Sequence, residues 1–275
     1  MLQVETGQLV SELETLASFS DAPAPAVTRV VFSEQDLRAR AWLRQRYAAA
    51  GLKVREDAVG NTFARWQGTD PSLAAIGTGS HTDAIPHSGR YDGTVGVLGG
   101  LEAIRALQRS GFKPRRSIEL LMFTSEEPTR FGIGCLGSRL LSGRLDAARA
   151  SAMKDETGRT LDEVRATAGF TGTLDSVRLA PAYYSRFLEL HIEQGPLLER
   201  RNIDVGVVTA IAAPASLNIF IEGHGGHAGA VLMPDRHDGS LRPRKLRWRW
   251  SQPQRIRVQS IASRRPEFAK CFRVR

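Results

Sequence analysis

The chain has 275 residues, of which 41% are hydrophobic and 24% charged, and these fractions are usual for a globular protein. No apolar run approaches the roughly 18 residues that a membrane-spanning helix requires, and the first residues lack the basic start and apolar stretch of a secretory signal. Two cysteines, Cys135 and Cys271, are too few for a disulfide framework. These features predict a cytoplasmic protein without a membrane partner.

The positive charge is confined to the last part of the chain. The formal net charge is +9 at pH 7. Residues 239–275 contain 12 Lys and Arg against one acidic residue, whereas residues 1–238 contain 26 basic and 28 acidic residues. Nucleic acid is therefore not expected as a partner, because such binding would depend on the basic tail alone.

Helical and strand-like segments alternate along the first 210 residues. Ser33 precedes a helical segment that ends near Gly51, and the segments KVRED and NTFARW flank a Gly60-Asn61 turn, which predicts a hairpin. Three buried strands, in LAAIGTGSHTD, SIELLMFTSEEP and RFLELHIEQG, are separated by segments such as the helical TVGVLGGLEAIRALQRSG. The alternation predicts an α/β fold with a mostly parallel central sheet flanked by helices.

The sequence divides into three predicted parts. Residues 1–210 form the main α/β domain. Residues 211–238, within VGVVTAIAAPASLNIFIEGHGGHAG and the following segment, are expected to open a smaller, incomplete α+β unit with two strands. Residues 239–275 have no clear apolar period and are interpreted as a basic, aberrant tail.

Histidine and carboxylate side chains come at the ends of three predicted strands and just before a predicted helix, at His81, Glu126, Glu127, His191 and Asp92. Ligands bind outside the carboxyl ends of the strands in open α/β sheets, so these residues are expected to meet at one site. A mixed set of imidazoles and carboxylates is typical of Zn, Mn, Co or Ni sites rather than of Ca or Mg sites.

Two further features indicate hydrolytic chemistry. Asp83, two residues after His81, is a candidate to orient that imidazole. Adjacent residues of an extended strand point to opposite sides, so one of Glu126 and Glu127 is expected to bind metal while the other acts as a general base on water. Structural alternatives remain open, since a strand-end histidine is often only hydrogen-bonded, paired glutamates are often solvated, and GHGGHAG also fits a glycine-rich turn.

Four segments, GSHTDAIPHSGRYDGTVGVLGGLEA, FTSEEPTRFGIGCLGSR, LHIEQGPLLE and GHGGHAGAVLMPDRHD, resemble the M20-type metallo-amidohydrolases in their order. EEPTRFG and HIEQGP are similar in particular to the ureido branch, which contains allantoate amidohydrolase, ureidoglycolate amidohydrolase and N-carbamoyl-L-amino-acid hydrolase. The resemblance covers residues from about 5 to 238. It implies a di-zinc peptidase-like catalytic domain, followed by the start of a dimerisation domain.

The resemblance also implies a metal centre with two divalent ions per subunit. His81 and His191 would be terminal ligands of one metal, and Asp92 would bridge both. Glu127 would bind the second metal, and Glu126 would be the general base that activates the water. A carboxylate shared in this way holds two ions about 3.5–4 Å apart.

The implied substrate contacts come from two more residues. Gln194 would contact the substrate, and His227 would reach the active site of a neighbouring subunit and polarise the scissile carbonyl, so that a homodimer is implied. The implied reaction is hydrolysis of a C–N bond in a linear ureido compound, with release of ammonia and carbon dioxide. We predict allantoate as the substrate, with ureidoglycolate and N-carbamoyl-L-amino acids as the alternatives.

Complete members of the family are longer than this chain. They finish the dimerisation domain, which supplies an Asn and an Arg for the substrate carboxylate, and a last His then binds the second metal. None of the six histidines follows Asp238, so the second metal site is expected to be incomplete, the activity impaired, and an edge of the sheet unpaired. The abrupt change of composition after Asp238 is interpreted as a shifted reading frame, an unspliced intron or a gene-model error, and the alternative is a genuine evolved tail.

Two functions of other classes stay open. In one, an inactive hydrolase body binds nucleic acid through the RKLRWRW segment of the tail, where Arg beside Trp allows phosphate pairing and stacking. In the other, the chain is an inactive partner of a full-length relative. Steep salt dependence of DNA binding would favour the first, and co-purification with a longer homologue would favour the second.

Overall fold

The computed structural model describes residues 2–211 and 224–235. The chain forms two compact units that divide after Asp204. In the second unit, residues 205–211 form no strand, and the described residues 224–235 contain a short 3-10 helix, Met233–Asp235. The rest of the segment predicted to form two strands lies outside the described residues, as does the basic tail.

The helices of the first unit are α1 (Thr6–Ser18), α2 (Glu34–Ala49), α3 (Thr94–Arg109), α4 (Leu136–Leu141), α5 (Ala147–Ser151), α6 (Leu161–Thr167) and α7 (Leu197–Arg200). A 3-10 helix, Leu174–Val177, follows α6. The predicted start of α2 is confirmed, because the Ser33 hydroxyl accepts a hydrogen bond from the backbone N–H of Asp36 and so caps the helix. Gly111 follows α3 with a φ of +75°, a left-handed conformation that favours glycine at a helix end.

A five-stranded sheet lies at the centre of the first unit. Its strands are β2 (Lys53–Glu56), β3 (Thr62–Trp66), β4 (Ala75–His81), β6 (Ile118–Phe123) and β7 (Tyr184–Leu188), in the order β2-β3-β6-β4-β7. Two further strands, β1 (Val27–Arg29) and β5 (Ala84–Ser88), form a separate antiparallel pair.

The α/β class is confirmed, but the sheet is mixed rather than mostly parallel. Strands β6, β4 and β7 run parallel, as expected for strands joined through helices. Strands β2 and β3 form the predicted hairpin, and β3 then pairs with β6 in the antiparallel direction. The short turn can only join β2 and β3 as antiparallel strands, and because β3 also runs antiparallel to β6, two of the four strand pairs in the described sheet are antiparallel.

Hydrophobic residues pack on both faces of the sheet. Leu120 and Met122 of β6 belong to a cluster with α1, α2 and α3, whereas Leu121 and Phe123 belong to a second cluster with α4, α5 and α6. This alternation follows from the opposite directions of successive side chains along a strand. Because β6 is buried on both faces, the position of its carboxyl end is fixed by the core.

A buried ion pair connects α2 with the end of β6. The side chains of Arg40 and Asp36 are 1% and 0% exposed, and their Nε and Oδ2 atoms lie 2.8 Å apart. Nη1 of Arg40 also donates to the carbonyl of Gly60 at 2.7 Å and to the hydroxyl of Thr124 at 3.3 Å. Thr124 directly follows β6, so this pair helps to fix the backbone that leads into the predicted site.

The surface of the described part has two features that bear on the predictions. None of its helices has both the length and the apolar composition that crossing a membrane requires. Within the described residues, β7 ends the sheet order and pairs only with β4, and Leu188 of β7 exposes 60% of its surface.

Candidate metal and catalytic site

Three of the predicted ligands meet at the carboxyl end of the parallel strands. His81 is the last residue of β4, Asp92 precedes α3, and His191 follows β7. Nε2 of His81 lies 3.9 Å from Oδ1 of Asp92, and Nε2 of His191 lies 3.3 Å from the same oxygen. One ligand atom from each residue lies within 4.8 Å of the others, a spacing at which all three can contact one cation.

Close packing of α3 against β4 places Asp92 at this site. A β-carbon on Gly93 would lie 2.4 Å from Cδ2 and 2.5 Å from Nε2 of His81. Gly93 also has a φ of +65°, which side chains rarely adopt. The residue must therefore be glycine for the chain to turn into α3 directly beside the imidazole.

His81 is buried, and both of its ring nitrogens face polar groups. Nδ1 lies 2.9 Å from the carbonyl oxygen of Asp83, which fixes a proton on Nδ1, so Nε2 is the nitrogen that a metal would bind in place of its proton. Nε2 faces Asp92 and also Oε2 of Glu126, at 3.8 Å. Burial lowers the pKa of His81, but the carboxylate of Asp83, whose Oδ1 lies 3.6 Å from Nδ1, and the charges of Glu126 and Asp92 outweigh it and raise the pKa to about 9.

The carboxylate of Asp83 binds the backbone of the two glutamates. Its side chain is 0% exposed. Oδ1 accepts a hydrogen bond from the N–H of Glu126 at 3.1 Å, and Oδ2 accepts one from the N–H of Glu127 at 3.0 Å. The carbonyl of Asp83 therefore makes the short contact to the His81 ring, while its carboxylate positions the segment that carries Glu126 and Glu127.

The segment that carries Glu126 and Glu127 is not extended, contrary to the premise of the sequence argument. Strand β6 ends at Phe123, and Ser125 has a φ of +52°. The backbone turns because Asp83 binds two successive N–H groups, an arrangement that an extended strand does not offer. The directions of the two glutamates are therefore set by this turn rather than by strand alternation.

Glu126 is held on a second side by Cys135. The N–H of Cys135 donates to the Glu126 carbonyl at 2.6 Å, and its thiol donates to Oε1 of Glu126 at 3.2 Å. Oε2 of Glu126 is left facing His81. This contact is not predicted from the sequence, although the glycines in FGIGCLGS indicate a tight turn near the site.

Glu127 is half-buried among charged groups. Burial raises its pKa and the charge of Glu126 raises it further, to about 7, although His81 acts in the opposite direction. Among the described residues, the group of three close ligands does not include Glu127. A divalent cation among these carboxylates would relieve their repulsion, and two imidazoles with a carboxylate are the donors that Zn, Mn, Co or Ni accept. The side chains present therefore fit a metal ion.

Comparison with known proteins gives the family. Residues 77–269 match Peptidase family M20/M25/M40. The chain belongs to this family. The resemblance predicted from the four sequence segments is confirmed.

Relatives of this M20 chain include several amidohydrolases. Ureidoglycolate hydrolase of Arabidopsis thaliana is 55% identical over 89% of this chain and 53% of its own length. N-carbamoyl-L-amino-acid amidohydrolase of Paenarthrobacter aurescens is 37% identical over 86% of this chain and 57% of its own length. Allantoate amidohydrolase of Bacillus subtilis is 34% identical over 82% of this chain and 55% of its own length. The M20 chain thus spans a little more than half the length of these curated relatives.

Solved structures share the fold of the M20 chain. The crystal structure of AtUAH in complex with glyoxylate matches it with a TM-score of 0.81 and 55% identity, over 89% of this chain and 59% of that chain. The crystal structure of AtUAH in complex with (S)-hydroxyglycine matches with a TM-score of 0.81 and 54% identity, over the same shares. Both structures hold a small-molecule ligand.

The two residues predicted to contact substrate lie in exposed segments of the M20 chain. Gln194 follows His191 by three residues and has a φ of +55°. His227 belongs to the second unit, where its Nδ1 accepts a hydrogen bond from the N–H of Gly229 at 3.2 Å. Their roles in substrate binding stay predictions, as do the individual roles assigned to the metal ligands and to Glu126.

Proposed function

We propose that the M20 chain is a metal-dependent amidohydrolase that cleaves a C–N bond of ureidoglycolate. The arrangement of His81, Asp92 and His191 beside the carboxylate of Glu126 carries this proposal. Identity favours ureidoglycolate over the predicted allantoate, because the ureidoglycolate hydrolase is 55% identical and the allantoate amidohydrolase is 34% identical. The ligands glyoxylate and (S)-hydroxyglycine of AtUAH also support a two-carbon acid as the product.

The metal would be held by His81, Asp92 and His191. When bound, a divalent cation supplies Lewis acidity toward the ureido carbonyl. The chain itself holds the imidazole of His81 in one tautomer through Asp83 and leaves its second nitrogen facing the centre. A second ion near Glu127 remains part of the proposal.

Glu126 is the proposed general base. A water molecule loses a proton to its carboxylate and adds to the ureido carbonyl carbon, and the same proton then leaves with the terminal nitrogen as ammonia. The carbamate that remains loses carbon dioxide and yields hydroxyglycine. Water and ureidoglycolate thus give ammonia, carbon dioxide and hydroxyglycine. Gln194 and, across a homodimer, His227 are the proposed contacts to the substrate.

A side-by-side assay tests this function. The full chain, loaded with Zn²⁺, Mn²⁺, Co²⁺ or Ni²⁺ in turn, is given ureidoglycolate, allantoate and N-carbamoyl-L-amino acids, and ammonia release is measured. We expect release to be slow, because the second metal site is expected to be incomplete, and to be fastest with ureidoglycolate. Glu126→Gln should abolish release while metal stays bound, and Glu14→Gln on the exposed side of α1 serves as the matched control.

Two results would contradict the proposal. Faster release from allantoate or from an N-carbamoyl-L-amino acid would overturn the substrate. Absence of release from all three compounds, with metal bound, would overturn the activity for this chain.

A further inference from the structure

His191 is the ligand with the least support from regular structure. The last residue pair between β4 and β7 is Thr78 with Leu188, so the sheet ends before His191 is reached. Its side chain is 32% exposed, whereas that of His81 is 3% exposed. Contacts other than the sheet ladder must therefore hold the backbone of residues 189–191 in place.

One such contact is a hydrogen bond between Ser80 and Glu189. The hydroxyl of Ser80, which is 0% exposed, donates to Oε1 of Glu189 at 2.6 Å. Continuing the register of Thr78 with Leu188 would place Ser80 opposite Leu190. The side-chain bond thus joins the two segments where the backbone ladder has stopped, one residue before His81 and two residues before His191.

Helix α3 supports the same segment from the side. A β-carbon on Gly96 would lie 2.4 Å from the carbonyl oxygen of Leu190 and 2.6 Å from Cβ of Ser80. The absence of a side chain at Gly96 lets Leu190 lie directly against the helix that follows Asp92. Leu190 is thereby held by α3 and Glu189 by Ser80, and the next residue is His191.

We propose that Ser80 and Glu189 are positioning residues that hold His191 at the metal centre. Ser80 and Glu189 act through the backbone of residues 189–191. The hydrogen bond between their side chains fixes the distance between this backbone segment and the end of β4. A charge-assisted hydrogen bond is suited to this, since it is shorter and stronger than a neutral one. The inference rests on the proposed function only in requiring that His81, Asp92 and His191 bind a metal ion.

Metal titration of the full chain tests this role without any need for turnover. Zn²⁺ affinity is measured by calorimetry, and the absorption spectrum of bound Co²⁺ reports the coordination. We expect Ser80→Ala and Glu189→Ala to weaken Zn²⁺ binding about 10- to 100-fold, the usual effect of losing a residue that supports a ligand. Glu189→Gln should restore part of the affinity, because its amide oxygen accepts the same hydrogen bond without the charge.

The matched control is Ser185→Ala. The hydroxyl of Ser185 also joins β7 to β4, through the carbonyl of Ala75 at 3.3 Å, but within the paired part of the sheet. This variant should bind Zn²⁺ like the unchanged chain. Glu189 is exposed, so its variants are expected to fold, and circular dichroism checks that they do.

The outcomes separate this inference from the proposed function. If the unchanged chain binds no Zn²⁺, the proposed metal site fails and the inference fails with it. If the unchanged chain binds Zn²⁺ and both alanine variants match its affinity and Co²⁺ spectrum, only the positioning role is overturned. A Glu189→Gln variant as weak as Glu189→Ala would also overturn it, because charge rather than the hydrogen bond would then be responsible.

Discussion

Replacing Asp83 with asparagine tests whether its carboxylate organises the site through the backbone. The substitution keeps the shape of the side chain but leaves one acceptor oxygen where there were two. In the structure both oxygens are used, by the N–H groups of Glu126 and Glu127. An asparagine would bind one of these groups and turn its own NH₂ toward the other.

The expected loss of stability follows from these two bonds. A hydrogen bond to a charged group contributes about 1.5–3 kcal/mol, and the bond that survives becomes a neutral one of about half that strength. Asp83→Asn should therefore lower the free energy of unfolding by about 2–4 kcal/mol. This is a large share of the roughly 5–15 kcal/mol that stabilises a typical protein.

Urea unfolding of the metal-free chain, followed by far-UV circular dichroism, measures the effect. With a urea dependence of about 2–3 kcal/mol per molar, the midpoint should fall by about 1–2 M. Zn²⁺ affinity should fall as well, because the segment that carries Glu126 and Glu127 loses its anchor.

Asp146→Asn is the matched control for Asp83→Asn. Asp146 caps α5 through a single hydrogen bond to the N–H of Arg149, and asparagine caps a helix equally well. We expect its stability to change by less than about 0.5 kcal/mol. A change equally small in Asp83→Asn would refute the argument that both oxygens of Asp83 stabilise the backbone.

Three further predictions concern other contacts. Arg40→Met should destabilise the chain by about 3–5 kcal/mol in urea unfolding, because it leaves the buried carboxylate of its partner uncompensated; a loss below about 1 kcal/mol would contradict this. Gly93→Ala should weaken Zn²⁺ binding in a titration, since its Cβ would lie 2.4 Å from the His81 ring, and unchanged affinity would show that the ring moves freely. Asp155 has its pKa lowered from 3.8 to about 2, chiefly by a hydrogen bond from Thr157. The charged form of Asp155 therefore stabilises the folded chain above pH 3.8, and this stability is lost as the pH falls toward 2. Over this pH range, the urea midpoint of the unchanged chain should fall more than the urea midpoint of Asp155→Asn.

Helices α2 and α3 and the strands of the central sheet could be predicted because their signals are local. Ser33 marks the start of α2, and the Gly60-Asn61 turn marks the hairpin of β2 and β3. The direction in which that hairpin joins the sheet could not be read in the same way. It depends on which strand β3 meets, and only the packing of the core decides this.

The sequence alone determined which side chains come at the ends of the strands. His81, Asp92 and His191 could be predicted as neighbours because parallel strands present their carboxyl ends at the same edge. The tertiary structure decided how they are held there, since the contacts of Asp83 with Glu126 and of Ser80 with Glu189 join residues far apart in the chain. Asp83 reaches the backbone of Glu126, and no local pattern encodes a distance between two segments that only folding brings together.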